Sequence, residues 1–143
     1  MKINRKGSAH WEGGLRDGRG AISTQSGALD KHPYGFASRF EGVPGTNPEE
    51  LIGAAHAGCF TMALSLILGE AGLTATSLDT AATVTLEQKD GGYAITAVHL
   101  VLDAAIPGTD DATFQQLAAA AKANCPVSKL LNAEITLDAT LAA

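Results

Sequence analysis

Residues 51–68 constrain this chain most, because almost every position in that run is apolar or small. Read as a helix, the run points Leu51, Ile52, Ala55, Phe60, Met62, Ala63, Leu64, Leu66 and Ile67 to nearly every side of the axis. A helix without a polar face is buried. His56, Thr61 and Ser65 interrupt the run and Glu70 follows it, which fits a buried helix of a soluble fold better than a membrane span. The start is well marked. Asn47 can cap, Pro48 loses nothing at the first helical position, and Glu50 stands three residues after the cap, as in a capping box. Gly72 signals the end, so the spacing predicts a helix from Pro48 to about Gly69. Gly53, Ala54, Ala55, Ala57 and Gly58 leave room for another backbone to approach closely just before Cys59.

A chain of 143 residues with 45% hydrophobic content can bury a core and is expected to form one domain over residues 1–143. The formal net charge is −5 and no basic stripe with interleaved aromatics occurs, which argues against nucleic acid as a partner. Met1-Lys2-Ile3-Asn4-Arg5-Lys6 is basic but has no apolar run behind it, so it does not read as a signal peptide, and the expected location is cytoplasmic with no membrane partner. In a reducing compartment the two cysteines are core thiols, metal ligands or redox partners rather than a structural disulfide.

The remaining segments read as follows. Strands are expected over residues 2–12 and 21–28, flanking a stretch with Gly13-Gly14 and Asp17-Gly18, and a third over 36–41, ended by Gly42-Val43-Pro44-Gly45. Residues 83–88 and 93–105 alternate about Asp90-Gly91-Gly92, as a hairpin does. An alanine-rich helix covers 110–122 and is ended by Asn124; Cys125-Pro126 opens a short helix to about Leu131; a last strand covers 134–141. The fold class is α+β, with antiparallel strands packed on one long buried central helix.

Two thiols carry the chemical interest. Cys125 precedes a proline at a helix start, where unsatisfied N–H groups and the helix dipole favour a thiolate; the plainer reading is a small apolar residue in a corner. Cys59 stands mid-helix among apolar residues, which raises a thiol pKa, so it needs a nearby cation to act as a nucleophile. His56 lies three residues before Cys59 on about the same face, as a base or half of a metal pair, although no CxxC or HExxH spacing supports a metal and none is expected. Arg39 closes the third predicted strand; by itself it reads as a surface residue, and Glu49 and Glu50 read as acidic complements of a helix N-terminus. Gly18-Arg19-Gly20 lacks the third glycine of a dinucleotide fingerprint.

Set together, His10-Trp11-Glu12-Gly13, Pro33-Tyr34-Gly35-Phe36, Arg39-Phe40-Glu41-Gly42, Gly45-Thr46-Asn47-Pro48-Glu49-Glu50-Leu51, Ala54-Ala55-His56-Ala57-Gly58-Cys59-Phe60, Asn124-Cys125-Pro126-Val127-Ser128 and Glu134-Ile135-Thr136-Leu137 resemble the OsmC/Ohr superfamily of thiol-dependent hydroperoxide peroxidases from end to end, in its osmotically inducible branch. The resemblance implies that Cys59 is the peroxidatic thiol and Cys125 the resolving one, which reverses the ranking by local chemistry. It implies that Arg39 supplies the missing cation and that Glu49 orients it, with Glu50 a secondary candidate. The other branch carries its arginine nearer the N-terminus, which brings in Arg16 or Arg19, but the context of Arg39 favours Arg39. It further implies organic hydroperoxides as substrates, no bound cofactor, an external dithiol such as a protein-bound dihydrolipoyl group as reductant, and an intertwined homodimer.

Two readings compete. A Cys-His hydrolase or acyltransferase would use Cys59 and His56 and leave Cys125 idle. A non-enzymatic stress-binding module would keep both thiols as core residues.

Overall fold

Turn chemistry builds the N-terminal sheet. Strands β1 (Gly7–Glu12), β2 (Arg19–Thr24) and β3 (His32–Tyr34) pair antiparallel in the order β1-β2-β3, so the first two strands are shorter than the sequence suggests. Trp11 and Tyr34 bring their rings to 5.4 Å across this sheet. A side chain on Gly20 would overlap both rings, so the glycine is what permits the pair. The computed structural model describes residues 1–143, which group into two units, residues 1–51 and 52–143.

The strand expected over 36–41 is instead the helix α1 (Phe36–Phe40), and the third strand lies just before it. Ser38 decides this. Its hydroxyl accepts from the Gly35 N–H at 3.0 Å and donates to the Thr46 carbonyl at 3.0 Å, which closes a helical turn. Phe36 and Phe40, four residues apart, then stack at 4.9 Å, a separation that suits a helix face as well as it suits an alternating strand.

Helix α2 (Pro48–Glu70) starts where the capping signals put it. The Glu50 N–H donates to Asn47 Oδ1 at 2.8 Å and Asn47 Nδ2 donates to the Glu50 carboxylate, a reciprocal cap. At the far end Leu73 N–H returns to the Leu68 carbonyl at 2.8 Å, and Gly72 takes the left-handed conformation with φ of 75°. Burial is narrower than the sequence implies. Within one chain α2 buries a single stripe, Gly53, His56, Phe60, Leu64 and Leu68, at spacings of three and four, while Met62 and Leu66 stay 76% and 65% exposed. By length and composition α2 could cross a membrane, but this stripe is part of the core of residues 52–143.

The second sheet covers that stripe. Strand β4 (Ser77–Lys89) and β5 (Gly92–Ala105) form a hairpin, with Asp90 and Gly91 both at positive φ in the turn. Helices α3 (Asp111–Asn124) and α4 (Pro126–Leu130) follow, and β6 (Glu134–Leu141) completes the order β4-β5-β6. The expectation of purely antiparallel strands fails here, because β6 runs parallel to β5. Parallel neighbours need a crossover connection, which α3 and α4 provide. Val98, Leu100, Leu102 and Ala104 of β5 alternate into the core and meet Phe60, Leu64 and Leu68 of α2 and Phe114, Ala118 and Ala121 of α3. Gly53 lets α2 approach β4 closely, since a Cβ there would stand 3.3 Å from the Ala82 carbonyl oxygen.

Candidate active site

Two i,i+3 pairs face each other inside residues 52–143. On α2, His56 and Cys59 are one turn apart; at the α3–α4 corner, Cys125 caps α4 and Ser128 lies one turn on. Cys125 Sγ stands 3.0 Å from Cys59 Sγ, far outside the ~2.05 Å of a disulfide bond. The two are free thiols in hydrogen-bonding contact, although 66 residues of chain separate them. They differ in access. Cys59 is half-buried and Cys125 is fully buried.

Electrostatics separates them too. Burial pushes the Cys59 thiol above its ordinary value and the adjacent Cys125 adds to this, against a weaker opposing hydrogen bond from the Val127 N–H. Burial also works against the Cys125 thiolate. There the hydrogen bonds from the Cys59 thiol, from the N–H and hydroxyl of Ser128 and from the Val127 N–H outweigh it and hold Cys125 below its ordinary value. With the Cys125 and Cys59 sulfurs 3.0 Å apart, the first proton lost belongs to the pair. Cys125 stands at the N-cap of α4, where the sequence put it, although its side chain closes no cap hydrogen bond.

His56 is fully buried, and its Nε2 lies 2.8 Å from Ser128 Oγ. Burial lowers its pKa and keeps it neutral. Its hydrogen-bond partner is Ser128 and not Cys59, so the ring is not engaged as a base on the half-buried thiol. No group of three His, Cys, Asp or Glu side chains is gathered as metal ligands. Sequence reasoning left Ser128 without a role. The signal was its place three residues after Cys125, one turn into the helix that Cys125 opens.

In residues 1–51, Arg39 and Glu49 form an ion pair. Arg39 Nε and Nη2 both donate to Glu49 Oε1, at 3.1 and 2.8 Å. Glu49 is 12% exposed and the arginine 36%, so the carboxylate is the fixed member and the guanidinium the reaching one. Glu50 turns to Asn47 as the helix cap and not to Arg39. Arg16 lies over the Phe36 ring at 4.5 Å, and Arg19 sits on β2 opposite Glu12. A groove of about 850 Å³ runs between the exposed face of α2 and the start of β4, lined by Thr61, Met62 and Ser65 among others, but neither cysteine lines it.

Residues 40–140 match the family model described as OsmC-like protein. Peroxiredoxin OsmC of Escherichia coli (strain K12) is 60% identical to this chain over 138 residues, 96% of each. The organic hydroperoxide resistance protein OhrB of Bacillus subtilis (strain 168) is 34% identical over 116 residues, 80% of this chain and 83% of that protein. The crystal structure of OhrB superposes with a TM-score of 0.72 at 29% identity, covering 96% of this chain and 98% of its own.

Proposed function

The chain belongs to the OsmC/Ohr superfamily, and on that premise we propose that it is a peroxidase that reduces organic hydroperoxides to alcohols with Cys59 and Cys125. The observation that carries this reading is the thiol pair itself: two cysteines 3.0 Å apart, one reachable from outside and one sealed. A peroxide can approach Cys59 and not Cys125.

The Cys59 thiolate attacks one oxygen of the peroxide bond, the alkoxide leaves and takes a proton, and Cys59 becomes a sulfenic acid. Cys125 then attacks that sulfur and expels hydroxide, which leaves as water, and a Cys59–Cys125 disulfide remains. In the pair as it stands Cys125 holds the more stable thiolate, which suits the resolving step and not the first one. A cation at Cys59 reverses that order for the attack. Arg39 is the residue we assign to this, held by Glu49 in a geometry that leaves N–H groups free for peroxide oxygens. Glu50, used as a cap, has no part in it.

An external dithiol, a protein-bound dihydrolipoyl group in our reading, reduces the disulfide by exchange, and the chemistry calls for no bound cofactor. Such a cycle belongs in the cytoplasm. A second copy of the chain would cover Met62 and Leu66, which is why we assign a homodimer. Titration with cumene hydroperoxide tests the core of this. Two thiols lost per peroxide, followed by turnover with a lipoylated protein, is the expected result. Loss of no thiol, or hydrolysis of a thioester without peroxide, would sink it in favour of a binding module or a Cys-His hydrolase.

A further inference from the structure

His56 and Ser128 have no part in the cycle above, yet they extend it. Ser128 lies one turn after Cys125 at the start of α4, on the same side as the Cys125 sulfur, and its hydroxyl and N–H with the Val127 N–H favour the thiolate there, although none closes a cap hydrogen bond on it. Behind the Ser128 hydroxyl, at 2.8 Å, stands Nε2 of His56. The other ring nitrogen, Nδ1, is buried without a hydrogen-bond partner. A buried N–H without an acceptor is rarer in proteins than an under-used acceptor, so the proton belongs on Nε2. His56 Nε2–H then donates to Ser128 Oγ, and the Ser128 O–H is left to donate to Cys125. Donors in such a chain polarise and strengthen one another.

We propose that Ser128 and His56 are positioning residues that make Cys125 the leaving group when the Cys59–Cys125 disulfide is reduced, so that the incoming thiolate attacks the sulfur of Cys59. The inference rests on the reading that these two cysteines form a redox disulfide. The first thiolate of the dithiol bonds to Cys59 Sγ, the Cys59–Cys125 bond breaks, and its electron pair goes to Cys125 Sγ, where the donors receive it. The second thiol of the dithiol then attacks the mixed disulfide at the dithiol's own sulfur and expels Cys59. The dithiol leaves as a disulfide, and its two protons end on the protein thiols. In thiol–disulfide exchange the more stable thiolate leaves faster. Access agrees independently, since Cys125 is fully buried and Cys59 is not.

The test uses the full chain with its disulfide formed by diamide, so that it does not depend on peroxide. Oxidised protein is mixed with 2-mercaptoethanol, quenched in acid, denatured, alkylated and mapped by mass spectrometry. The expected adduct is on Cys59, with Cys125 alkylated, in at least tenfold excess over the reverse. Ser128→Ala should slow reduction on the order of tenfold, about the loss of one hydrogen bond to a charged group, and Ser128→Thr should restore most of it. His56→Phe should slow it as well; if that variant fails to fold, the two Ser128 variants carry the comparison. Nitrogen NMR should find the His56 proton on Nε2. An adduct on Cys125, a proton on Nδ1, or Ser128→Ala reduced at the wild-type rate each overturn the inference. If diamide forms the disulfide and hydroperoxide does not, only the peroxidase reading falls. If neither forms it, both fall.

Discussion

Replacing Arg39 by alanine should slow hydroperoxide consumption at pH 7 by on the order of 10³–10⁵, with the fold intact. Two contributions make up that loss, and pH separates them. Burial raises the Cys59 thiol in its own chain, so at neutral pH its ionisation depends on an outside cation. A positive charge within reach lowers a thiol pKa by roughly 1–3 units, and each unit is tenfold in thiolate while pH stays below the pKa. The second contribution is grip on the substrate. Nε and one N–H of Nη2 are spent on Glu49 Oε1. This leaves about three of the five guanidinium N–H donors for peroxide oxygens. As pH rises towards 10 the thiolate deficit narrows, so the rate deficit of Arg39→Ala should shrink towards about 10², the part due to lost donors. Arg39→Lys keeps the charge and loses the planar fork, so it should match wild type more closely in thiolate content than in rate. Stability should barely move, because the Arg39–Glu49 pair is partly exposed and worth about 0–1 kcal/mol. Residual peroxide measured against time at pH 7 and pH 10, with urea midpoints for each variant, reads all of this. Wild-type rates in a folded Arg39→Ala protein would refute the assignment and move the cation to Arg16 or Arg19.

The two cysteines should separate cleanly. Cys59→Ser should not react with hydroperoxide at all, whereas Cys125→Ser should react once per chain and leave a sulfenic acid that dimedone traps on Cys59; dimedone on Cys125 in the Cys59→Ser protein reverses the roles. The exposed Met62 and Leu66 call for cover, so light scattering at micromolar concentration should give twice 14.6 kDa, and a folded monomer would end the dimer reading. His56 makes stability depend on pH in a definite direction. Its folded pKa lies below the ordinary value, so the unfolded chain binds the proton first and the His56 contribution is full above about pH 6.5. It is lost as pH falls through the window below, so urea midpoints should drop between pH 7.5 and pH 5, less so in His56→Gln; an equal drop in both proteins removes His56 as the cause.

Signals between near neighbours in the chain were legible in the sequence. Asn47-Pro48 and Glu50 place the start of α2, Asp110 the start of α3, and strict alternation gives β6, because caps and periodicity are settled within a few residues. The family motifs picked out both cysteines, Arg39 and Glu49. What the sequence alone did not determine hangs on distant contacts. Residues 36–40 suit a strand or a helix by pattern, and the Ser38 bond to Thr46 makes them helical. The direction of β6 is set by its crossover, not by its own residues, which would alternate equally well beside β5 in either sense. Local chemistry could not weigh Cys59 against Cys125 because the contact between the two sulfurs, and that of the Val127 N–H with Cys59, exist only once the corner folds onto α2. Nor does anything near His56 in the chain announce Ser128, which meets it across 72 residues. A hydrogen bond of that span leaves no periodic trace in the sequence, and it exists only after the core of α2, β5 and α3 has closed the loop between its ends.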